Sequence, residues 1–180
     1  MIELYPKIFA IKGLCTSYYI DDNVKVLIDA GTDFKKPVDL LILTHIHPDH
    51  TFFAAKIQAR TKCKIMIGKG DENLAALFSH FSSWQGKKIE EFKIDKALNE
   101  HDKIMTGKYC FETLELPGHT LGSIGLYEKN HELLFGGDTI FENGFVGRTD
   151  LFHSSEDLMQ KTLKKLKKLS IKHLFSGHNY

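Results

Sequence analysis

Leu40-Leu41-Ile42-Leu43-Thr44-His45-Ile46-His47-Pro48-Asp49-His50 decides how this chain is read. The first four residues form an apolar run of strand length. Four metal-binding side chains, His45, His47, Asp49 and His50, follow within six residues. A short buried strand ending in a ligand-rich loop suits metal binding, because the strand fixes the loop and the loop supplies side chains from one small region. Three further candidates lie far downstream, each beside glycine: His119 in Pro117-Gly118-His119-Thr120, Asp138 in Gly136-Gly137-Asp138-Thr139 and His178 in Ser176-Gly177-His178-Asn179. Such a set of imidazoles and carboxylates suits two borderline divalent metals such as zinc, or one iron with spare ligands.

Outward from that stretch, the pattern is one of strands followed by helices, twice over. Lys7–Ile11, Ser17–Ile20, Val24–Ile28 and Leu40–Leu43 are rich in β-branched, aromatic and other apolar residues and read as strands. Phe52–Arg60 reads as a helix, favoured by Ala54, Ala55 and Ala59. Lys64–Ile67 reads as a strand, and Asp71–Phe78 as a helix with an aspartate near its start. Tyr109–Leu116, Ser123–Glu128, Glu132–Phe135 and Ile171–Phe175 read as strands. Glu156–Lys168 is a helix whose buried face carries Leu158, Met159, Leu163 and Leu166, continued by Leu169. The order predicts an α/β (α+β) four-layer αββα sandwich, with two mixed sheets face to face and helices outside. Each ligand candidate follows a strand, so all can converge on one edge of that sandwich.

Residues 79–92 are the least regular part, with Ser82-Ser83 and Gly86 among His80, Phe81 and Trp84. They either line a pocket or pack on the core as a surface excursion.

At 180 residues, the chain reads as a single domain spanning 1–180. Lys plus Arg number 24 and Asp plus Glu 23, so the net charge is +1 and gives no general pull toward nucleic acid or an anionic membrane. Lys161, Lys164, Lys165, Lys167 and Lys168 alternate with the leucines of the last helix and read as a solvated face. No basic leader followed by a long apolar segment opens the chain, and the expectation is a cytoplasmic protein acting on a small molecule. Cys15, Cys63 and Cys110 form no Cys-x-x-Cys pair and read as buried thiols, with Cys110 in the strand leading toward His119.

Thr44–His50 resembles the His-x-His-x-Asp-His signature of the metallo-β-lactamase-fold hydrolases. Asp29 in Leu27-Ile28-Asp29-Ala30-Gly31, then His119, Asp138 and His178, stand in the order of that family's other motifs. The closest branch is the glyoxalase II and persulfide dioxygenase group, which Gly118-His119-Thr120-Leu121-Gly122-Ser123-Ile124 and Gly147-Arg148-Thr149-Asp150 resemble. Gly177-His178-Asn179-Tyr180 is similar to the Gly-His-Glu-Tyr of glyoxalase II. Zinc β-lactamases of the best-known class carry cysteine in place of Asp138, and flavodiiron proteins carry glutamate in place of His47.

The resemblance implies one metal held by His45, His47 and His119, a second held by Asp49, His50 and His178, and Asp138 bridging them. The implied cofactors are two divalent metal ions, zinc ahead of iron or manganese. Metal binding lowers the pKa of water from about 15.7 to about 7, which supplies a nucleophile for a thioester or ester. Asp49 is the residue placed to accept or orient the proton of that water. Asp29 is expected behind the ligands, orienting a histidine, or as a plain turn residue before Gly31. Arg148 and Tyr180 are candidate substrate contacts by resemblance, with an Arg148–Asp150 salt bridge as the alternative. Thr51-Phe52-Phe53 replaces the small residues that often follow the motif and is expected to narrow the pocket entrance. In glyoxalase II a helical domain completes the glutathione site; these residues read as one domain without it, and a homodimer partner is one way to complete the pocket. Two other functions fit the same residues: a mononuclear iron persulfide dioxygenase using His45, His119 and Asp138, and a non-catalytic metal-binding protein.

Overall fold

The structure, a computed structural model, describes residues 1–72, 83–151 and 153–178. In chain order its elements are β1 (Ile2–Tyr5), β2 (Ile8–Lys12), β3 (Thr16–Asp21), β4 (Lys25–Ile28), β5 (Leu40–Leu43), α1 (Pro48–Thr51), α2 (Ala54–Thr61), β6 (Lys64–Gly68), β7 (Ser83–Trp84), β8 (Lys87–Lys88), β9 (Lys96–Leu98), β10 (Lys103–Met105), β11 (Cys110–Glu115), β12 (Ile124–Glu128), β13 (Leu133–Gly137), α3 (Glu156–Leu166) and β14 (His173–Ser176). Among the described residues these form a seven-stranded sheet, β1-β2-β3-β4-β5-β6-β9, a five-stranded sheet, β10-β11-β12-β13-β14, and a small β7-β8 hairpin. Both large sheets are mixed. β4, β5, β6 and β9 run parallel, as do β13 and β14, while the other pairings are antiparallel.

Period-2 alternation sorts the side chains into layers. Tyr18, Ile20, Val26, Ile28 and Ile42 of the larger sheet meet Phe111, Ile124, Leu126, Phe135 and Phe175 of the smaller one. Tyr19, Leu27, Leu41, Leu43, Ile65 and Ile67 point the other way and pack with Ala54 and Ile57 of α2. Leu114, Leu116, Tyr127 and Leu134 back the smaller sheet against Leu166 of α3. This is the expected αββα sandwich. No helix among the described residues is long and apolar enough to cross a membrane.

The ends of α3 follow the capping rules. Ser155 caps its start by accepting the Leu158 N–H, Glu156 and Asp157 occupy the first turn, and Lys164 and Lys165 the last. Gly118 has φ +151°, and a Cβ there would meet the Met159 Cα at 2.6 Å, so α3 sits directly on the turn that carries His119.

Some expectations need correction. The segment after β5 is not all loop: Pro48 opens the helical turn α1, with His47 at its N-cap, so Asp49 and His50 lie on a helix. Strands β1, β9 and β10 were not expected. They are short edge or near-edge strands broken by charges at Glu3, Lys96 and Lys103, which hide the apolar alternation. The irregular 79–92 stretch contains the β7-β8 hairpin, and Trp84 lies against Phe52 at 6.0 Å on the outer apolar layer. Phe52 and Phe53 pack against that same outer layer. Residues 73–78 of the expected Asp71–Phe78 helix, and His80 and Phe81, lie outside the described residues.

Candidate metal centre

The ligand candidates meet at one edge of the sandwich, where each follows the end of a strand. His45 follows β5, Asp138 follows β13, His178 follows β14 and His119 sits on the turn after β11. The Ile124 N–H donates to the Thr44 carbonyl at 2.9 Å and the Gly177 N–H to the Gly137 carbonyl at 2.8 Å, pinning these ends together. Tyr18 OH donates to the Ser176 carbonyl at 2.7 Å, and the Thr16 N–H to the Gly177 carbonyl at 2.7 Å, which ties β14 to the opposite sheet.

The donor atoms fall into overlapping groups, two of which divide the histidines between them, while a third, His45, His50 and Asp138, joins the two. His45, His47 and His119 each place a ring nitrogen within 4.8 Å of the others, and Asp49, His50 and His178 do the same with a carboxylate among them. In the first group His47 Nδ1 and His119 Nε2 are 2.8 Å apart. In the second, His178 Nε2 is 3.0 Å from Asp49 Oδ2 and 3.4 Å from His50 Nε2. Asp138 lies between them: Oδ2 is 3.7 Å from His119 Nε2 and 3.4 Å from His178 Nε2, and Oδ1 is 3.3 Å from His50 Nε2.

Hydrogen bonds behind the cluster aim the rings. His50 Nδ1 donates to Asp29 Oδ2 at 2.8 Å, which turns Nε2 toward the site. His119 Nδ1 donates to the Arg148 carbonyl at 2.9 Å, with the same result. Thr44 Oγ1 donates to Asp29 at 2.9 Å and accepts from His45 Nδ1 at 3.1 Å. His45 Nε2 then faces the cluster, buried and with no hydrogen-bond partner among the described residues. A buried polar atom left this way is unfavourable, and a metal ion satisfies it. The donor set therefore fits divalent metal.

The electrostatics separate the two groups. Burial, aided by neighbouring imidazoles, pushes His45 well below its usual pKa and His47 down to about 4, and burial also lowers His119. These rings are neutral and their lone pairs available. The hydrogen bond to Asp49, working against burial, raises His178. Burial opposes charge on His50 as well, but Cys15 and the carboxylates Asp29 and Asp138 outweigh it and raise its pKa well above the usual value. Burial would raise Asp49, yet His178 and His50 overcome it and bring it down to about 2. The second group is thus a place that favours positive charge.

Asp29 adopts φ +61°, which aspartate tolerates, and its carboxylate holds both the Thr44 N–H at 2.8 Å and the His50 ring. It is more than a turn residue. Arg148 pairs with Asp150 through two bonds of 2.9 Å and is largely exposed, so the salt-bridge alternative holds in this structure. Tyr180 lies outside the described residues. Cys15, not Cys110, is the thiol near the cluster: it groups with Asp29 and His50, and burial raises its pKa. Among the described residues Cys110 joins none of the ligand groups; it opens β11 opposite Met105. Thr44 and Asp71 also belong to the frame, a role the sequence reading does not give them: it reads Asp71 only as an aspartate near a helix start, and both follow strands of the parallel set.

A sandwich of this architecture, with two histidine-rich donor groups and one carboxylate between them, defines a protein built to hold metal at the edge of an αββα fold. The chain belongs to the Metallo-beta-lactamase superfamily, whose sequence pattern matches residues 10–178. Within it, the chain is related to the hydroxyacylglutathione hydrolases. It is 34% identical over 141 residues to the hydroxyacylglutathione hydrolase of Rhodospirillum rubrum, covering 78% of this chain and 48% of that protein. It is 29% identical over 164 residues to hydroxyacylglutathione hydrolase GloC of Haemophilus influenzae, covering 83% and 76%. The chain thus spans about half the length of several curated relatives that it matches, including that of Bdellovibrio bacteriovorus at 49%. The fold is shared with BLEG-1 B3 metallo-beta-lactamase, at TM-score 0.81, 23% identity and coverage of 97% and 91%. It is also shared with TTHA1623, solved in a di-iron-bound form, at TM-score 0.80, 24% identity and coverage of 96% and 92%.

Proposed function

We propose that this chain is a dinuclear, zinc-dependent hydrolase that cleaves a thioester or related ester of a small molecule, with a hydroxyacylglutathione as the first substrate to try. The observation that carries the reading is the pair of donor groups flanking Asp138, which lies within 3.7 Å of His119 and 3.3 Å of His50. His45, His47 and His119 would hold one metal, Asp49, His50 and His178 the other, and Asp138 both. Bound there, the two cations would supply a water of low pKa and polarise the substrate carbonyl.

The chain's own residues set up that chemistry. Thr44 and the Arg148 carbonyl hold the far sides of His45 and His119 and turn their Nε2 atoms inward, and burial keeps charge off these two rings and off His47. Asp49, beside His178, is the carboxylate that orients the attacking water's proton. The Arg148 side chain is largely exposed, and a substrate carboxylate would compete with Asp150 for its guanidinium. Tyr180 is proposed as a substrate contact on the resemblance alone. The inter-sheet core is continuous, which supports reading 1–180 as one domain.

The test is metal content after growth in zinc and in iron, combined with thiol release from a hydroxyacylglutathione thioester. Two zinc per chain, with turnover that follows occupancy, is the expected result. One iron per chain, with oxygen uptake on a persulfide and no thioester cleavage, would replace it with the dioxygenase reading.

A further inference from the structure

The chain leaves β6 at Gly68 and turns through residues 69–72, and there the Asp71 side chain is fully buried. Its Oδ2 accepts the Ile46 N–H at 3.0 Å and the Thr120 hydroxyl at 2.8 Å. Its Oδ1 accepts the Gly122 N–H at 2.8 Å and lies 3.6 Å from His153 Nε2. A buried carboxylate is costly unless such donors compensate it. These donors are not random: Ile46 stands between His45 and His47, and Thr120 follows His119. The approach is also built for. A Cβ on Gly122 would meet the Asp71 nitrogen at 2.1 Å and its Cγ at 2.5 Å, and a Cβ on Gly70 would meet the Leu121 carbonyl oxygen at 2.6 Å.

We propose that Asp71 is a positioning residue for the three-histidine group, one carboxylate that clamps the His45–His47 segment to the His119 turn. It bonds both segments next to their ligands and thereby sets the 2.8 Å separation of His47 Nδ1 and His119 Nε2. Ring nitrogens that close keep their relative placement only if the two segments are held rigidly. Asp29 braces His50 directly and reaches the three-histidine group only through Thr44, whereas the Ile46, Thr120 and Gly122 groups that Asp71 holds lie on the segments of the three-histidine group. The inference rests on the reading of these histidines as metal ligands.

The experiment is a cobalt(II) titration of metal-free protein, followed by the visible absorption of the bound ion and by chelator competition. His178→Gln identifies which binding step belongs to the three-histidine group. Wild type should take two equivalents. Asp71→Asn should lose about 10–100-fold in affinity at the three-histidine step, with a changed cobalt band there, and keep the other step. Thr120→Val, which removes one donor, should show a smaller loss in the same step. Unchanged affinity and spectrum in both variants would overturn the proposal, and so would an equal loss in both steps. Should Asp71→Asn fail to fold, Thr120→Val decides alone, and wild-type binding by it would overturn the clamp. A wild type that takes no metal would sink the metal reading itself, and the clamp with it.

Discussion

His50 Nδ1 donates to Asp29 Oδ2 at 2.8 Å, with both side chains at 2% exposure or less. The bond crosses from the end of β4 to α1 and leaves His50 Nε2 aimed at Asp138 and His178. Asp29→Asn keeps the side-chain shape and tolerates the same positive φ, but its amide cannot accept in the same way from both Thr44 and His50. The expected outcome is a loss of about 10–100-fold in metal affinity at the Asp49–His50–His178 group. Chelator competition on the purified variant measures it, and wild-type affinity there would remove Asp29 from the support of the site.

Gly177 controls the same region by absence of a side chain. A Cβ there would meet Asp138 Oδ1 at 2.1 Å and His50 Cε1 at 2.6 Å. Gly177→Ala must therefore displace the bridging carboxylate or the ring, at an overpacking cost of about 1–3 kcal/mol. Thioester turnover should fall at least about 100-fold, since a displacement of about 1 Å at a catalytic group is enough for that. Metal analysis should show fewer than two ions per chain. Full occupancy and full activity would mean that this edge yields more easily than its packing indicates.

Asp22 makes stability depend on acid. Burial pushes its carboxyl up, but hydrogen bonds from Lys7 Nζ, the Lys108 N–H and the Thr106 hydroxyl outweigh it and bring the pKa from 3.8 to about 2. A pKa lower in the folded chain than in the unfolded one contributes stability above the unfolded value, and that stability is lost as pH falls through the folded value. The contribution is about 2 kcal/mol at neutral pH, fading between about pH 4 and pH 2. Asp22→Asn should flatten that part of the stability–pH curve when unfolding is followed by denaturant titration. An unchanged slope would mean that other carboxylates dominate.

Phe135 links the core to the site, because β13 delivers Asp138 three residues later. Its ring stacks on Phe175 at 4.7 Å and meets Tyr18 at 5.2 Å and Phe111 at 5.6 Å, joining both sheets. Phe135→Ala should cost about 3–5 kcal/mol. At this chain length that lowers the melting temperature by about 6–20 °C, readable by calorimetry. A loss below about 1 kcal/mol would show that the inter-sheet core refills the cavity.

What could be read from sequence follows from where information is local. Leu40–Leu43 and the His/Asp motif after it are contiguous, so strand and ligands appear together. His119, Asp138 and His178 were visible because each follows an apolar run and stands beside glycine. The frame behind them was not, because it is made by long-range bonds. Thr44 looks like any residue at a strand end, yet its hydroxyl relays Asp29 to His45. Asp71 had the same positional cue, a carboxylate just past a parallel strand, but its partners Ile46, Thr120 and Gly122 are remote in sequence. Cys15 lies beside Asp29 and His50 only because β3 and β4 pair.

Metal removal should register in stability as well as in turnover. The two donor groups draw on β5 and α1, the turn after β11, and the ends of β13 and β14, which together span both sheets. An unfolded chain cannot bring those segments together, so metal binds the folded state and stabilises it by linkage. At free metal about 100-fold above the dissociation constant the gain from one site is about 2.7 kcal/mol. Chelation of both ions should then lower the melting temperature by about 10–20 °C and abolish thioester cleavage, with zinc restoring both. The order of recovery is informative. Activity that returns only with the second equivalent, while stability rises with each, is the signature of two sites that act jointly. Activity complete after one equivalent would assign the chemistry to a single metal.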